Sequence, residues 1–189
     1  MTLGPQFRRR YGELVAVVLV TGMSGTGKSA VLVELARRGH RVVDTDYGGF
    51  AEKVQSSDGH GPEQLWREDR IDSLLRQHHE GVLFISGCVA NQGRFYSRFD
   101  AVVLLSAPTD VILERVAMRE TNNFGKSDAE RNRILHDLAT VEPLLRAGAT
   151  AEINTRAPLE EVVDALERIA HTVARAPRSK PVGTGGSGL

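Results

Sequence analysis

The sequence has few of the features that mark secreted, membrane or nucleic-acid-binding proteins. Its 189 residues include one cysteine, Cys88, so no internal disulfide can form and a reducing, cytoplasmic compartment is expected. The longest apolar run, Leu14–Val20, is too short to span a bilayer, and it leads into glycines rather than a cleavage site, so no signal peptide is expected. Lysine plus arginine equals aspartate plus glutamate, 24 each, so the charge balance predicts neither a nucleic-acid nor a membrane partner.

Apolar residues make up 41% of the chain, which is typical of a soluble globular protein. We expect a single domain over residues 12–175, preceded by a flexible lead-in at 1–11. Residues 176–189 are rich in glycine, proline and serine and predict a disordered tail.

Short β-branched runs alternate along the chain with segments of helical period. The predicted strands are Leu14–Val20, Arg41–Asp44, Val82–Ser86, Ala101–Ser106 and Ala151–Asn154. The predicted helices are Lys28–Arg38, Pro62–His79, Thr109–Arg119, Asp128–Arg146 and Pro158–Ala174. Most of the strand runs lack polar alternation, which is typical of strands covered on both faces, so the pattern predicts an α/β fold with a parallel sheet between helices.

A glycine-rich stretch follows the first strand and fits G-x-x-x-x-G-K-S/T, the P-loop or Walker A pattern. The nucleotide-binding residues that it predicts are Gly22, Ser24, Gly25, Thr26, Gly27, Lys28 and Ser29. Glycines let the backbone wrap an anion with its amides pointing inward, and a helix beginning at Lys28 turns its positive end toward phosphate. In this pattern the lysine reaches the outer phosphates and the Ser29 hydroxyl holds Mg²⁺. A glycine-rich turn without ligand is the alternative, and the flanking strand and helix argue against it.

Several classes of protein share this loop. Motors and AAA-type ATPases have an apolar strand ending in Asp-Glu, whereas the strand here ends in Ser86, and the chain is short. GTPases have a base-recognising Asn-Lys-x-Asp, and no such tetrapeptide occurs. A small-molecule kinase therefore remains the favoured class.

Two carboxylates, Asp44 and Asp46, stand at i and i+2 where the second strand ends. Residues two apart on a strand share a face, and this end of a parallel sheet faces the ligand crevice. One carboxylate can hold Mg²⁺ through water while the other deprotonates an attacking hydroxyl. A solvated turn rich in aspartate is the alternative.

Residues Val15 to Ala170 resemble the shikimate kinase, gluconate kinase and nucleoside-monophosphate kinase group of P-loop kinases, on the P-loop and on Asp44-Thr45-Asp46. The resemblance implies a five-stranded parallel sheet of order 2-3-1-4-5 with a small lid at about 120–127. It implies that Asp44 serves Mg²⁺ and that Asp46 meets the substrate hydroxyl.

Further positions follow from the same resemblance. The stretch around Leu65–Asp69 implies that Arg67 binds substrate, and Gly87 falls in a glycine-rich substrate loop. In the segment leading to the lid, Arg115 would stack on adenine and Arg119 would reach the phosphates, while residues 154–158 would close over the base. A solvated basic face paired with Glu114 and Glu120 is the alternative for the two arginines, and an ordinary surface loop is the alternative for the lid with its Lys126.

Two departures argue against shikimate itself. Gly87-Cys88-Val89 stands where shikimate kinases have a glycine triplet, and Glu142 stands about where they carry an arginine for the substrate carboxylate. Two carboxylates repel each other unless a proton or cation lies between them, so a sugar, a nucleoside or an amine-bearing alcohol suits Glu142 better. An exposed helix acid without ligand is the alternative.

The sequence thus predicts an ATP- and Mg²⁺-dependent kinase acting on a hydroxyl or phosphate of a small molecule. Lys28, Asp46 and Arg119 are its expected catalytic residues, and its expected partner is the small-molecule acceptor. The rival hypothesis is a regulatory P-loop protein that hydrolyses ATP slowly and has no acceptor.

Overall fold

The computed structural model of the chain describes residues 15–55, 62–120 and 124–176. Three predicted segments lie wholly or partly outside the described residues. They are the lead-in at 1–11, the tail apart from Ala176, and residues 121–123 of the lid. Across the described ranges, no helix combines the length and the apolar character needed to cross a bilayer.

Strands and helices alternate along the described chain. The strands are β1 (Val15–Thr21), β2 (Arg41–Asp44), β3 (Ala51–Gln55), β4 (Pro62–Trp66), β5 (Gly81–Ser86), β6 (Ala101–Ser106) and β7 (Ala151–Asn154). The α-helices are α1 (Lys28–Arg37), α2 (Glu68–Arg76), α3 (Thr109–Met118), α4 (Asp128–Thr140), α5 (Glu142–Gly148) and α6 (Leu159–Arg175). A 3₁₀ helix covers Gln92–Arg98.

The main sheet has five parallel strands in the order β2-β5-β1-β6-β7. Counted over these five strands alone, this is the predicted order 2-3-1-4-5, and the predicted α/β class is confirmed. Alternate residues of β1 enter different cores: Val18 packs with α1 and α6, and Leu19 packs with α2 and the 3₁₀ helix. Helices on both faces are the reason why the strands are apolar throughout.

The register of the sheet brings four strand ends to one edge. Asp44 on β2 lies beside Ser86 on β5, and Ser86 lies beside Val20 on β1. On the other side of β1, Thr21 pairs with Leu104 of β6. The carboxyl ends of parallel strands therefore meet where the P-loop leaves β1, and this edge holds the candidate site.

The helix predicted over Pro62–His79 is wrong in its first part. Residues Pro62–Trp66 form β4, which pairs antiparallel with β3 in a separate two-stranded sheet, and α2 begins only at Glu68. Trp66 is buried opposite Ala51. Pairing with a strand elsewhere in the chain and burial of the tryptophan override the helical spacing.

The helix predicted over Asp128–Arg146 is two helices. The break falls at Val141, which ends α4 and precedes α5. Pro143 has no backbone N–H and so cannot extend the hydrogen-bond ladder of α4. The predicted helix start at Ser127 is confirmed, because its side chain and that of Glu130 form a reciprocal capping box.

Candidate nucleotide and acceptor site

The P-loop backbone adopts a shape that side chains would prevent. At Gly22 a Cβ atom would lie 2.4 Å from the Leu105 carbonyl oxygen, and the φ angle is +149°. Gly27 precedes α1 with φ of +93° in the left-handed region. Thr26 closes the loop by donating from its hydroxyl to the Met23 carbonyl at 2.8 Å. This cradle before a helix N-terminus fits an anion such as a nucleotide phosphate.

Lys28 lies over this loop. Its Nζ donates to the Gly22 carbonyl at 2.6 Å and to the Met23 carbonyl at 3.1 Å. Burial lowers the pKa of Lys28, and the charges of Asp46 and Asp44 oppose this effect. The charges of both predicted carboxylates therefore act on the ammonium group. Its two hydrogen bonds go to neutral carbonyl oxygens, which an anionic phosphate could replace.

Asp44 and Asp46 bracket a tight turn at the end of β2. The backbone N–H of Asp46 donates to Oδ1 of Asp44 at 3.1 Å, and the N–H of Tyr47 donates to the Asp44 carbonyl at 3.3 Å. Burial of the carboxyl group and then the neighbouring Asp44 charge raise the pKa of Asp46, whereas Lys28 lowers it. Asp46 is nevertheless exposed as a residue, so solvent screens these effects.

Arg119 lies one residue beyond α3, which ends at Met118, so the helix predicted over Thr109–Arg119 is one residue shorter than expected. Its guanidinium bridges the P-loop and the end of the lid segment, donating to Ser24 Oγ at 3.1 Å and to the Phe124 carbonyl at 2.6 Å. Among the described residues, its buried Nε has no hydrogen-bond partner. Burial lowers the pKa of Arg119.

Arg115 joins the P-loop region to the segment after β7. It donates to Oγ1 of Thr155 at 2.9 Å and to the Thr155 carbonyl at 2.6 Å. A Cβ atom on Gly27 would lie 3.9 Å from the Arg115 guanidinium, so the two are neighbours. Ser29, the second residue of α1, is exposed. The P-loop, Arg115, Arg119 and residues 154–158 thus lie on one side of the site.

Gly87 lies on the other side, where three segments meet. A Cβ atom there would lie 2.3 Å from Thr45 Oγ1 and 2.8 Å from the Trp66 ring. The Thr45 hydroxyl donates to the Ser86 carbonyl at 2.7 Å and accepts from Trp66 Nε1 at 2.8 Å. Only glycine fits at position 87, because Thr45 and Trp66 occupy the space that a Cβ would need. The hydrogen bonds of Thr45 to Ser86 and Trp66 fix the turn that carries Asp46.

Arg67 lies between the end of β4 and the start of α2. Its backbone N–H donates to the Phe50 carbonyl at 2.8 Å, and its guanidinium donates to Asp69 at 3.3 Å. It lines an open cleft of about 450 Å³ between the β3–β4 hairpin and the segment after β5. Other residues lining the cleft are Glu52, Trp66, Asp69, Asn91 and Arg94. The structure thus brings Lys28, Asp44, Asp46 and Arg119 together and places Arg67 in this neighbouring cleft.

Sequence reasoning missed two polar residues that help to build the Gly87 side of the candidate site. Asn91 accepts from the Trp66 N–H at 2.8 Å and donates to the Trp66 carbonyl at 3.0 Å, so it docks the hairpin. Gln92 is 2% exposed and donates to Thr21 Oγ1 at 3.1 Å and to the Tyr96 hydroxyl at 2.8 Å. Both residues lie in a short polar segment whose sequence predicts a loop, and neither belongs to a recognisable sequence motif.

The sheet order, the glycine cradle and the lysine over it together define a P-loop NTPase of the α/β class. The AAA domain family matches residues 18–136, more than half of the chain, and the chain belongs to that family. Because β5 ends at Ser86 rather than in an acidic pair, the match establishes the P-loop domain and its nucleotide binding, not a motor activity. No curated protein matches the chain in sequence.

Several solved structures that share this fold carry the names of small-molecule kinases. A shikimate kinase from Acinetobacter baumannii, in complex with shikimate, is 18% identical with a TM-score of 0.56, covering 85% of this chain and 94% of its own. A shikimate kinase from Bacteroides thetaiotaomicron is 19% identical with a TM-score of 0.57, covering 82% and 98%. A gluconokinase from Sinorhizobium meliloti 1021 is 17% identical with a TM-score of 0.54, covering 86% and 95%. At these identities the similarity establishes the fold alone.

Proposed function

We propose that the protein is an ATP-dependent kinase that transfers the γ-phosphoryl group to a hydroxyl of a small molecule. The observation that carries this proposal is that β2, which leads into Asp46, ends at the same sheet edge as the P-loop, over which Lys28 lies and to which Arg119 donates a hydrogen bond. A P-loop alone supports nucleotide binding, whereas a carboxylate beside the phosphate cations supplies what an acceptor hydroxyl needs.

ATP suits the phosphate side in our proposal. Backbone amides from Gly22 to Gly27 and the Lys28 ammonium would hold the β- and γ-phosphates, as the glycine cradle supports. Arg119 would turn its unpartnered Nε to the transferred group. Arg115 would stack on the base beside residues 154–158, with which it already makes two hydrogen bonds.

A Mg²⁺ ion fits the oxygen donors Ser29 and Asp44, which are the ligand types that this ion takes. In the described ranges, no group of three or more His, Cys, Asp or Glu side chains is arranged to hold a metal. The two protein ligands would therefore act together with phosphate oxygens and water, and the ion would supply charge neutralisation. We infer that Ser29 and Asp44 are the protein residues that would hold the ion.

In the proposed transfer, the acceptor hydroxyl oxygen attacks the γ-phosphorus atom. A new O–P bond forms while the bond from phosphorus to the β–γ bridging oxygen breaks, and that oxygen leaves on ADP. The hydroxyl proton passes to Asp46, whose raised pKa favours proton acceptance. Lys28 and Arg119 offset negative charge on the transferred oxygens, so the protein contributes mainly position and charge.

The acceptor would lie against Gly87 and the turn that carries Asp46, with Arg67 in the adjoining cleft. The names of the structural neighbours, shikimate kinase and gluconokinase, support a hydroxyl-bearing small acceptor. A cytoplasmic setting, expected from the single cysteine, belongs to the same proposal.

The test is a phosphoryl-acceptor screen with ATP and Mg²⁺, read as acceptor-stimulated ADP release. The kinase proposal expects at least one hydroxyl compound to stimulate ADP release, and Asp46→Asn to abolish that stimulation. If no acceptor stimulates turnover and Asp46→Asn retains the basal hydrolysis, the regulatory nucleotide-binding protein without acceptor is the better account.

A further inference from the structure

Glu142 is a buried carboxylate with one oxygen unsatisfied. The residue is 9% exposed, and its Oε1 accepts from the Arg146 guanidinium at 2.7 Å. Among the described residues, its Oε2 has no hydrogen-bond partner. A buried carboxylate oxygen without a donor is costly, so a ligand that supplies the donor would be bound with a large gain.

The charges around Glu142 do not balance. Arg146 is shared with Glu152, to which it donates twice, at 2.8 Å from Nε and at 3.0 Å from the terminal nitrogen. Hydrogen bonds from Arg146 and then from Ser106 lower the pKa of Glu152, so that carboxylate is satisfied. Two carboxylates and one guanidinium leave an excess negative charge, and Glu142 carries the unpaired oxygen.

Glu142 belongs to the inward face of its helix. Within α5, Leu145 lies three residues after Glu142, and residues three apart on a helix lie on one face. Leu145 packs with Met23 of the P-loop and with Leu104, and Cys88 packs against the same cluster. The end of α5 is fixed from another side, since a Cβ on Gly148 would lie 2.3 Å from the Tyr96 ring. Glu142 therefore lies on the side of α5 that packs against the P-loop and the residue after Gly87, and its Oε1 is bonded to Arg146.

We propose that Glu142 determines acceptor specificity by taking a hydrogen bond from a hydroxyl or ammonium group of the acceptor, and that it rejects a carboxylate at that position. This inference rests on the proposed kinase function. The acceptor is then a polyol, a sugar or an amino alcohol whose group at this position is neutral or cationic. Asp46 meets the hydroxyl that is phosphorylated, and Glu142 meets a second group on the same molecule.

The test uses three probes with one carbon skeleton: D-gluconate, D-glucitol and 1-amino-1-deoxy-D-glucitol, which differ only at C1. ADP release with ATP and Mg²⁺ is measured for the wild type, for E142Q and for E152Q. We expect kcat/KM for the hydroxyl and ammonium probes to exceed that for gluconate by about tenfold or more, because a like charge facing Glu142 is repelled. E142Q should bring the ratio close to one. E152Q, which touches the same arginine from the exposed side, should keep the wild-type ratio.

A preference for gluconate, or a ratio that E142Q leaves unchanged, would overturn the assignment. Thermal melting of the same variants decides the question without turnover. A ligand-binding Glu142 costs stability in the free protein, so E142Q should melt at the wild-type temperature or above it, while E152Q melts lower. A larger loss of Tm in E142Q than in E152Q would make Glu142 a structural ion-pair partner and end the proposal. If a broad acceptor screen stimulates no ADP release, the kinase function fails, and the melting comparison still decides the role of Glu142.

Discussion

The two sides of the site are built in different ways. On the proposed phosphate side, Gly22 to Ser29 form one continuous segment whose backbone would do most of the binding. On the acceptor side, Thr45, Trp66 and Gly87 meet from three separate segments. Trp66 donates to Thr45 at 2.8 Å, and a Cβ on Gly87 would lie only 2.3 Å from Thr45 Oγ1. Phosphate is a common ligand and a local motif suffices for it, whereas a particular acceptor requires a shape that only the folded chain supplies.

The sides also differ in charge. Lys28, Arg115 and Arg119 surround the P-loop, while the acceptor side presents Asp44 and Asp46. Cations stabilise the phosphates and the charge that develops on transfer, and a carboxylate is needed to accept a proton. Variants on the two sides should therefore separate nucleotide binding from acceptor chemistry.

The largest effect is expected from Lys28→Ala, which should remove most nucleotide binding and all measurable turnover while the fold survives. The ammonium group that lies over the P-loop is lost, and no other described cation lies over those two carbonyls. Calorimetric ATP titration and ADP release measure this, with Lys53→Ala on the exposed β3 as control. Unchanged ATP affinity and activity in the Lys28 variant would contradict the phosphate-side assignment.

Asp46→Asn should separate the two sides, lowering phosphoryl transfer by about 10²–10⁴-fold while ATP affinity stays near wild type. The amide keeps the size of the side chain but cannot accept the hydroxyl proton. Asp44→Asn should instead recover part of its deficit at high Mg²⁺, because its proposed role is to position the ion. Wild-type turnover of the acceptor by both variants would make the pair a solvated turn.

The sequence predicted the parts of the fold that follow from local pattern. Apolar runs placed the five main strands, and the P-loop match identified the nucleotide side, because strand burial and phosphate binding each act through neighbouring residues. The sheet order followed from the family resemblance. The predicted positions of Lys28, Asp44, Asp46 and Arg119 converge on one edge.

The β3–β4 hairpin and the break at Val141 were not predicted, because each depends on a competition that sequence spacing does not reveal. The spacing of apolar residues around Trp66 also suits a helix. The strand forms because β4 pairs with β3 and because the Trp66 side chain is held by a hydrogen bond to Thr45. Pro143 did carry a signal, since proline past the first turn interrupts a helix. Asn91 and Gln92 carried none, because their roles exist only after the hairpin has docked.

Gly87→Ala should disturb the acceptor side alone. The added Cβ would meet Thr45 Oγ1 at 2.3 Å and the Trp66 ring at 2.8 Å, and overpacking of this kind costs about 1–3 kcal/mol. Melting should fall by about 2–4 °C for each kcal/mol in a chain of this length. Gly93→Ala is the matched control, since nothing lies within 4 Å of a Cβ there. Equal melting temperatures for the two variants would contradict the close packing.

The preference between ATP and GTP should be a smaller effect on the phosphate side. Arg115 would stack on a base rather than bond to its edge, and no Asn-Lys-x-Asp occurs in the sequence, so we expect ATP to be preferred over GTP by about tenfold or less. Competition of the two nucleotides in a binding assay measures the ratio. A strong preference for GTP would show that a base-recognising element exists elsewhere in the chain.

The smallest expected effect is on the pH dependence of turnover. It depends on Asp46, whose pKa responds to Asp44 on the acceptor side and to Lys28 on the phosphate side. Burial and then the Asp44 charge raise the pKa of Asp46, and only the deprotonated carboxylate accepts the hydroxyl proton. The acid limb of the pH profile of turnover should therefore have its midpoint at a higher pH than an aspartate with an ordinary pKa would give. Asp44→Asn removes the second cause but leaves burial in place, so at saturating Mg²⁺ the acid limb of kcat should move to lower pH without reaching the ordinary aspartate range. Lys28 works in the opposite direction, and its loss would move the same limb upward if any turnover remained. An acid limb that stays fixed in Asp44→Asn would mean that a group other than Asp46 accepts the proton.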